Sequence, residues 1–214
     1  MLLVENGKAP VDPYNASLGF WLPPDSSYGN LQLKFMKIIW RLDEANRKIS
    51  DSWQFWEVCS QGGMLPTGAL ERYVFSNEEA VYMLRRAGDE LVSMIWLLAE
   101  YESDGEYPSK IKVDCLGVVV SQSEETRLLV FSSHVELMQI LNDIVNAYKH
   151  SFINSDHTLL GSAEPRIHAL GLAYNKLSAD AVFYDVPVDE LVKKYNEFYK
   201  SCVKWLSEYS ERNR

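Results

Sequence analysis

The chain has 214 residues, 47% of them hydrophobic and 12% aromatic, which excludes a disordered chain and suffices for one well-buried domain. A formal net charge of −9 opposes sequence-independent binding to nucleic acid, because such binding runs on lysine and arginine displacing counterions from phosphate. No apolar run approaches the roughly 20 residues that cross a bilayer, and "MLLVENGKAP" has neither the charged start nor the apolar core of a signal peptide, so a soluble, unprocessed protein is expected.

Cys59, Cys115 and Cys202 are odd in number and widely spaced, with none of the paired spacings of a zinc site or a disulfide scaffold; three reduced thiols in a cytoplasmic protein is the plain expectation. Residues 1–30 combine Pro10, Pro13, Pro23 and Pro24 with Tyr14, Phe20, Trp21 and Tyr28. Such a mixture breaks regular structure yet holds too many aromatics for a free tail, so an irregular arm packed on a single helical-bundle domain, 31–214, is expected.

From Leu31 the apolar residues recur at threes and fours: Phe35, Ile38, Ile39, Leu42, Ile49, Trp53 and Trp56. Asn46 falls inside that stripe and must find a hydrogen-bond partner if buried, and "SDS" at 50–52 is a possible restart of the helix. "SQGGMLPTGAL" at 60–70 reads as a loop, and Ser76 with Glu79 resembles a capping box opening a second helix that runs to about Tyr101. Its face is Ala80, Leu84, Ala87, Leu91, Ile95 and Leu98. Trp96 and Leu97 lie on the far side, which calls for cover on two faces. Gly88 in the first face implies close approach of a neighbour. Arg85 with Asp89 and Arg86 with Glu90 are i,i+4 pairs of structural rather than catalytic character.

"KIKVDCLGVVV" and "TRLLVFSS" read as two strands of a hairpin, and a third helix follows over about His134 to Asn154. "RIHALGLAY" and "DAVFYDV", joined by "NKLSA", fit a second hairpin, with a helix as the alternative for the first segment. The last helix starts near Asp189 behind Pro187 and carries Leu191, Tyr195, Phe198, Cys202, Trp205, Leu206 and Tyr209 on one side. Its lysines and arginines are interleaved with acids and read as a solvated face. The fold expected is therefore mainly α, an up-down helical bundle of four long helices with one or two inserted β-hairpins.

The most chemical stretch is "LNDIVNAYKHSF" in the third helix. Leu137, Leu141, Ile144, Tyr148 and Phe152 make an apolar stripe, opposite Gln139, Asn142, Asp143, Asn146, Lys149 and His150. Asp143, Asn146 and His150 stand at i, i+3 and i+7, where a histidine polarised by a carboxylate and an amide could act as general acid or base. The bland reading is the wet side of an amphipathic helix. Two asparagines, poor helix formers, on one face point instead to a surface that meets something.

Asn146 followed by Lys149 and His150 at the end of a long bundle helix resembles the "RN…H" region of HEPN (higher eukaryotes and prokaryotes nucleotide-binding) domains, helical bundles in which an arginine and a histidine act at a dimer cleft to cut RNA. The resemblance covers the third helix and the four-helix plan. The arginine is missing, its place taken by Asn142, Asp143, Ile144 and Val145. Arg127 and His134 have the spacing but open different elements. The resemblance thus implies a non-catalytic, dimer-forming interaction protein that binds a protein partner, with Asn142, Lys149 and Arg86 as binding residues. The alternative is a metal-independent ribonuclease using His150, Asp143 and Asn146, with RNA as partner only in that case.

A homodimer is also expected from Trp40, Trp96 and Leu97, which exceed one apolar face each. Neither a cofactor nor a metal nor a membrane is called for: no Glu-x-x-His pair, phosphate-cradling loop or nucleophile elbow occurs, and Cys59 beside Gly62 and Gly63 reads as a small core residue.

Overall fold

Asn30 opens the first helix, its side-chain oxygen accepting the Leu33 N–H at 2.9 Å, so an orphan donor of the first turn is satisfied. In the computed structural model, which describes residues 1–5, 7, 18–61, 66–150, 162–171 and 181–213, helix α1 then runs unbroken over Leu31–Ser60. The expected restart at 50–52 does not occur. Ser52 is buried instead and donates to Asn77 Oδ1 of the next helix at 2.6 Å.

Helix α2, Ala69–Asp104, starts seven residues before the expected capping box. Gly68, at φ +79°, turns the chain into it, a left-handed conformation that glycine adopts without a Cβ clash. Ser76 and Asn77 are buried within this helix, not caps, and Asn77 is held at both ends of its amide by Ser52 and the Arg166 carbonyl. Local sequence offers Ser76 a capping role; tertiary partners for its neighbour and about two turns of helix before it override that offer.

α1 and α2 pack along each other through the periodic positions read from the sequence. Leu31, Phe35, Ile38, Leu42 and Ile49 on one, and Ala80, Leu84, Ala87, Leu91, Ile95 and Leu98 on the other, are all buried. Each fully buried Leu, Ile or Phe contributes about 1.5–3 kcal/mol relative to exposure, so this seam is the largest single stabilising feature. α2 is covered on two faces as expected, with Leu97 buried and Trp96 packed against the core.

The first expected hairpin is replaced by helix. "KIKVDCLGVVV" becomes a loop ending in α3, Leu116–Ser121, and "TRLLVFSS" contains a single turn, α4, Leu129–Ser132. The valines favour strand locally, but Leu116 and Val119, three apart, are the residues the core takes, and the Leu116 N–H is accepted by Asp89 Oδ1 at 2.9 Å. Leu116 is also the close neighbour of Gly88: a Cβ there would meet its Cδ1 at 3.1 Å.

Helix α5 spans Val135–His150; residues 151–161, which carry the rest of the expected third helix with Phe152 and Asn154, lie outside the described residues. The hairpin β1, Arg166–Gly171, and β2, Val182–Pro187, pairs antiparallel from Arg166↔Pro187 to Gly171↔Val182, which decides the first segment as strand. Tyr73 ties β1 down: its hydroxyl donates to the Arg166 carbonyl at 2.9 Å and accepts the Arg166 N–H at 2.8 Å.

α6, Val188–Arg212, follows directly and buries Leu191, Tyr195, Phe198, Cys202, Leu206 and Tyr209. Its cations pair with Glu136, Glu5, Glu208 and Glu102, the solvated face expected. The described part of the arm lies on the body. Asn46 accepts the Val4 N–H at 2.7 Å and donates to the Val4 carbonyl at 3.0 Å, and Asn196 treats Glu5 and Leu3 in the same way from α6. The asparagine of the α1 stripe, partly buried, is therefore a clamp on the N-terminal segment. No helix among the described residues is long and apolar enough to cross a membrane.

Candidate functional site

The polar face of α5 divides in two. Asn142 and Asp143 turn into the protein, Asn146 and Lys149 are exposed, and the side chain of His150 lies outside the described residues. Asn142 Oδ1 accepts from an Arg85 terminal nitrogen at 3.3 Å and packs on Gly117, where a Cβ would stand 2.8 Å from it. Asp143 accepts from Gln139 Nε2 and from the Tyr184 hydroxyl, each at 2.6 Å, and from Asn142 Nδ2 at 3.3 Å. Burial and that carboxylate together push the Tyr184 phenol far above its ordinary value. The surface that Asn142 and Asp143 of this face meet is thus the chain's own α3, α2 and β2, while Asn146 faces outward.

Arg86, the remaining binding residue expected, is 64% exposed and sits elsewhere, on a cleft of about 590 Å³ between α1, α2 and the loop that precedes α3. Five cations line this cleft: Lys34, Lys37 and Arg41 from α1, Arg85 and Arg86 from α2. Against them stand three carboxylates, Asp89, Glu90 and Asp114. The apolar lining comes from Leu31, Ile38, Met94 and Leu97, all buried, with Tyr28 beside them. The Tyr28 hydroxyl donates to the Pro108 carbonyl and fastens the loop that forms the third wall.

The charges of the cleft are partly paired. Glu90 accepts from Arg41 Nε at 3.0 Å and from Arg86 Nε at 3.2 Å, one carboxylate joining two guanidinium groups from two helices. Arg85, only 14% exposed, has a terminal nitrogen 3.6 Å from Asp89, while among the described residues its buried Nε has no hydrogen-bond partner. Burial raises the Asp89 carboxyl above its ordinary value, against the pull of the Leu116 N–H and of Arg85. Among the described residues Lys34 and Lys37, both exposed, have no carboxylate partner.

Sequence reading identified Arg85–Asp89 and Arg86–Glu90 as pairs but missed the α1 wall. The signal was present: Lys34, Lys37 and Arg41 stand at i, i+3 and i+7 and share one helix face. What was missing was the knowledge that this face and the Arg86 face look at each other across a gap.

The dimer expectation loses two of its three residues, since Leu97 is buried and Trp96 half-buried within the chain, leaving Trp40 exposed at 40%. Among the described residues no group of three histidines, cysteines or acids is placed to hold a metal ion. Compared with protein-family models, with curated proteins and with solved structures, the chain matches none.

Proposed function

We propose that this chain is a non-enzymatic binding protein whose recognition site is the cleft between α1 and α2, and that what it binds is anionic. The observation that carries this reading is the local charge: five cations against three carboxylates over an apolar lining, in a chain whose formal net charge is −9. A concave site with mostly fixed walls, a few convergent polar groups and a volume in the range of about 300–1,000 Å³ is the usual form of a ligand site. Lys34 and Lys37, with no carboxylate partner among the described residues, are open to a ligand. The interaction role expected from the third helix is retained in kind and moved in place: Arg86 remains a binding residue, while Asn142 acts on the site through Arg85. Both walls come from one chain, so this reading needs no second copy to complete the site.

The test is thermal unfolding of the full chain with phosphate, sulfate and citrate at constant ionic strength. An anion present at ten times its Kd should raise Tm by about 3 to 6 °C. Lys34→Glu with Lys37→Glu should abolish that rise without lowering the Tm of the free protein by more than a degree or two. No rise with any of the three anions would overturn the reading and leave the anionic face of a protein partner as the occupant to test.

A further inference from the structure

We infer that the cleft takes a phosphate monoester carrying an apolar or aromatic body, and that Glu90 sets the affinity by opposing the phosphate with its own charge while it holds Arg41 and Arg86. This rests on the anion-binding reading and goes past it in naming the class of ligand and the residue that tunes its affinity.

At about 590 Å³ the cleft is far larger than a bare phosphate or sulfate ion, and Tyr28 and Ile111, both partly exposed, line it over the buried Leu31, Ile38, Met94 and Leu97. A ligand that fills it must therefore bring an apolar portion as well as its charge. The charged end is set by Lys34 and Lys37, one helical turn apart on α1, whose ammonium groups are compact point charges able to meet on one oxygen-rich dianion. A monocarboxylate offers half that charge and fewer acceptor oxygens.

Glu90 follows from the bonding at the two arginines. Each gives Glu90 its Nε, at 3.0 and 3.2 Å, rather than the paired terminal nitrogens of a bidentate fork. A guanidinium has five N–H donors, so the terminal nitrogens of Arg41 and Arg86 remain for a phosphate. Glu90 thereby holds the two forks in place from the side while opposing, by its own charge, any anion that approaches them.

The experiment is calorimetric titration of the full chain at pH 7.5 with phenyl phosphate, inorganic phosphate and benzoate as probes. Phenyl phosphate should bind about tenfold or more tightly than either comparator. Lys34→Gln with Lys37→Gln should weaken it about tenfold, whereas Glu90→Gln, which keeps an acceptor oxygen and removes the charge, should tighten it about three- to tenfold. Circular dichroism melts confirm that each variant is folded, and Arg86→Gln, weakening binding at an exposed position, serves if Glu90→Gln is not. Equal binding of inorganic and phenyl phosphate would overturn the apolar-body claim and leave the anion-binding reading standing. Equal binding of benzoate would overturn the phosphate claim, and unchanged or weaker binding in Glu90→Gln would overturn the role of Glu90. Failure of every anion, with the wild type folded, overturns both readings together.

Discussion

Asp143 shows how one side chain separates two functional readings. In the ribonuclease alternative it polarises His150; in the fold its oxygens accept from Gln139, Asn142 and Tyr184, the last bond joining α5 to β2. A hydrogen bond to a charged group contributes about 1.5–3 kcal/mol net, less where water reaches it. We therefore expect Tyr184→Phe to lower unfolding free energy by about 1–2 kcal/mol in urea titrations, with most of that loss absent when Asp143→Asn is already in place. Under the same reading purified protein leaves RNA intact. Cleavage by the wild type that vanishes in Asp143→Asn and in His150→Ala, at unchanged stability, would restore the ribonuclease.

At the scale of elements, the contact of α3 with α5 explains how an asparagine fits in a helix that does not favour it. Asn142 fits because position 117 has no Cβ, and it repays the poor propensity by meeting Arg85, whose Nε is already without a partner among the described residues. Gly117→Ala should gain about 1 kcal/mol from propensity alone, as alanine does over glycine in a helix. Here it forces the Asn142 amide off Arg85, so the expected outcome is a net loss of about 1 kcal/mol. In an Asn142→Ala background the clash is gone, and the same Gly117→Ala change should become neutral or stabilising. Urea unfolding of the four proteins of this cycle reads the coupling; additive effects would mean that α3 shifts freely and does not hold Asn142 in place.

For the whole molecule, two histidines built into the core make stability depend on pH. His134 packs edge-on to Phe198 with its Nε2 2.9 Å from Ser201 Oγ, and His168 stacks on Phe183 with its Nε2 3.0 Å from Asp185. Burial holds both imidazoles below their ordinary value, Glu197 and Asp185 respectively opposing the shift. The folded state therefore binds fewer protons than the unfolded chain just below the unfolded value of about 6.5. The stability these residues contribute is complete above that pH and is lost as pH falls through 6.5 toward the folded values, with a slope of at most about 1.4 kcal/mol per pH unit for each. Glu78 and Asp89, raised by burial, act in the opposite sense at lower pH. Urea midpoints between pH 5 and 7.5 should thus fall on acidification in the wild type and flatten in His134→Gln with His168→Gln; an equal slope in the double variant would place the titration elsewhere.

The four long helices were legible in the sequence because each buries at least one face, so apolar residues must recur at threes and fours whatever the element packs against, whereas the first strand of the β1–β2 hairpin was legible only as strand or helix, since β1 buries three residues in a row and β2 none. The stripes on α1, α2 and α6 are of this kind, as is Asn46, whose need for a partner follows from its place alone. Three things were decided only by the tertiary structure. Leu116–Ser121 is helix despite its valines, because the Asp89 carboxylate and the space beside Gly88 reward Leu116 and the core takes Val119 on the same side, while the bare Cα of Gly117 admits Asn142. The polar face of α5 is half consumed by Arg85 and Tyr184, partners 57 and 41 residues away in the chain. The cleft exists only because Lys34, Lys37 and Arg41 on one helix face Arg86 and Glu90 on another. Periodicity reports which side of a helix is polar and carries no information on which other polar side it confronts, since that depends on how helices some 50 residues apart come to lie together.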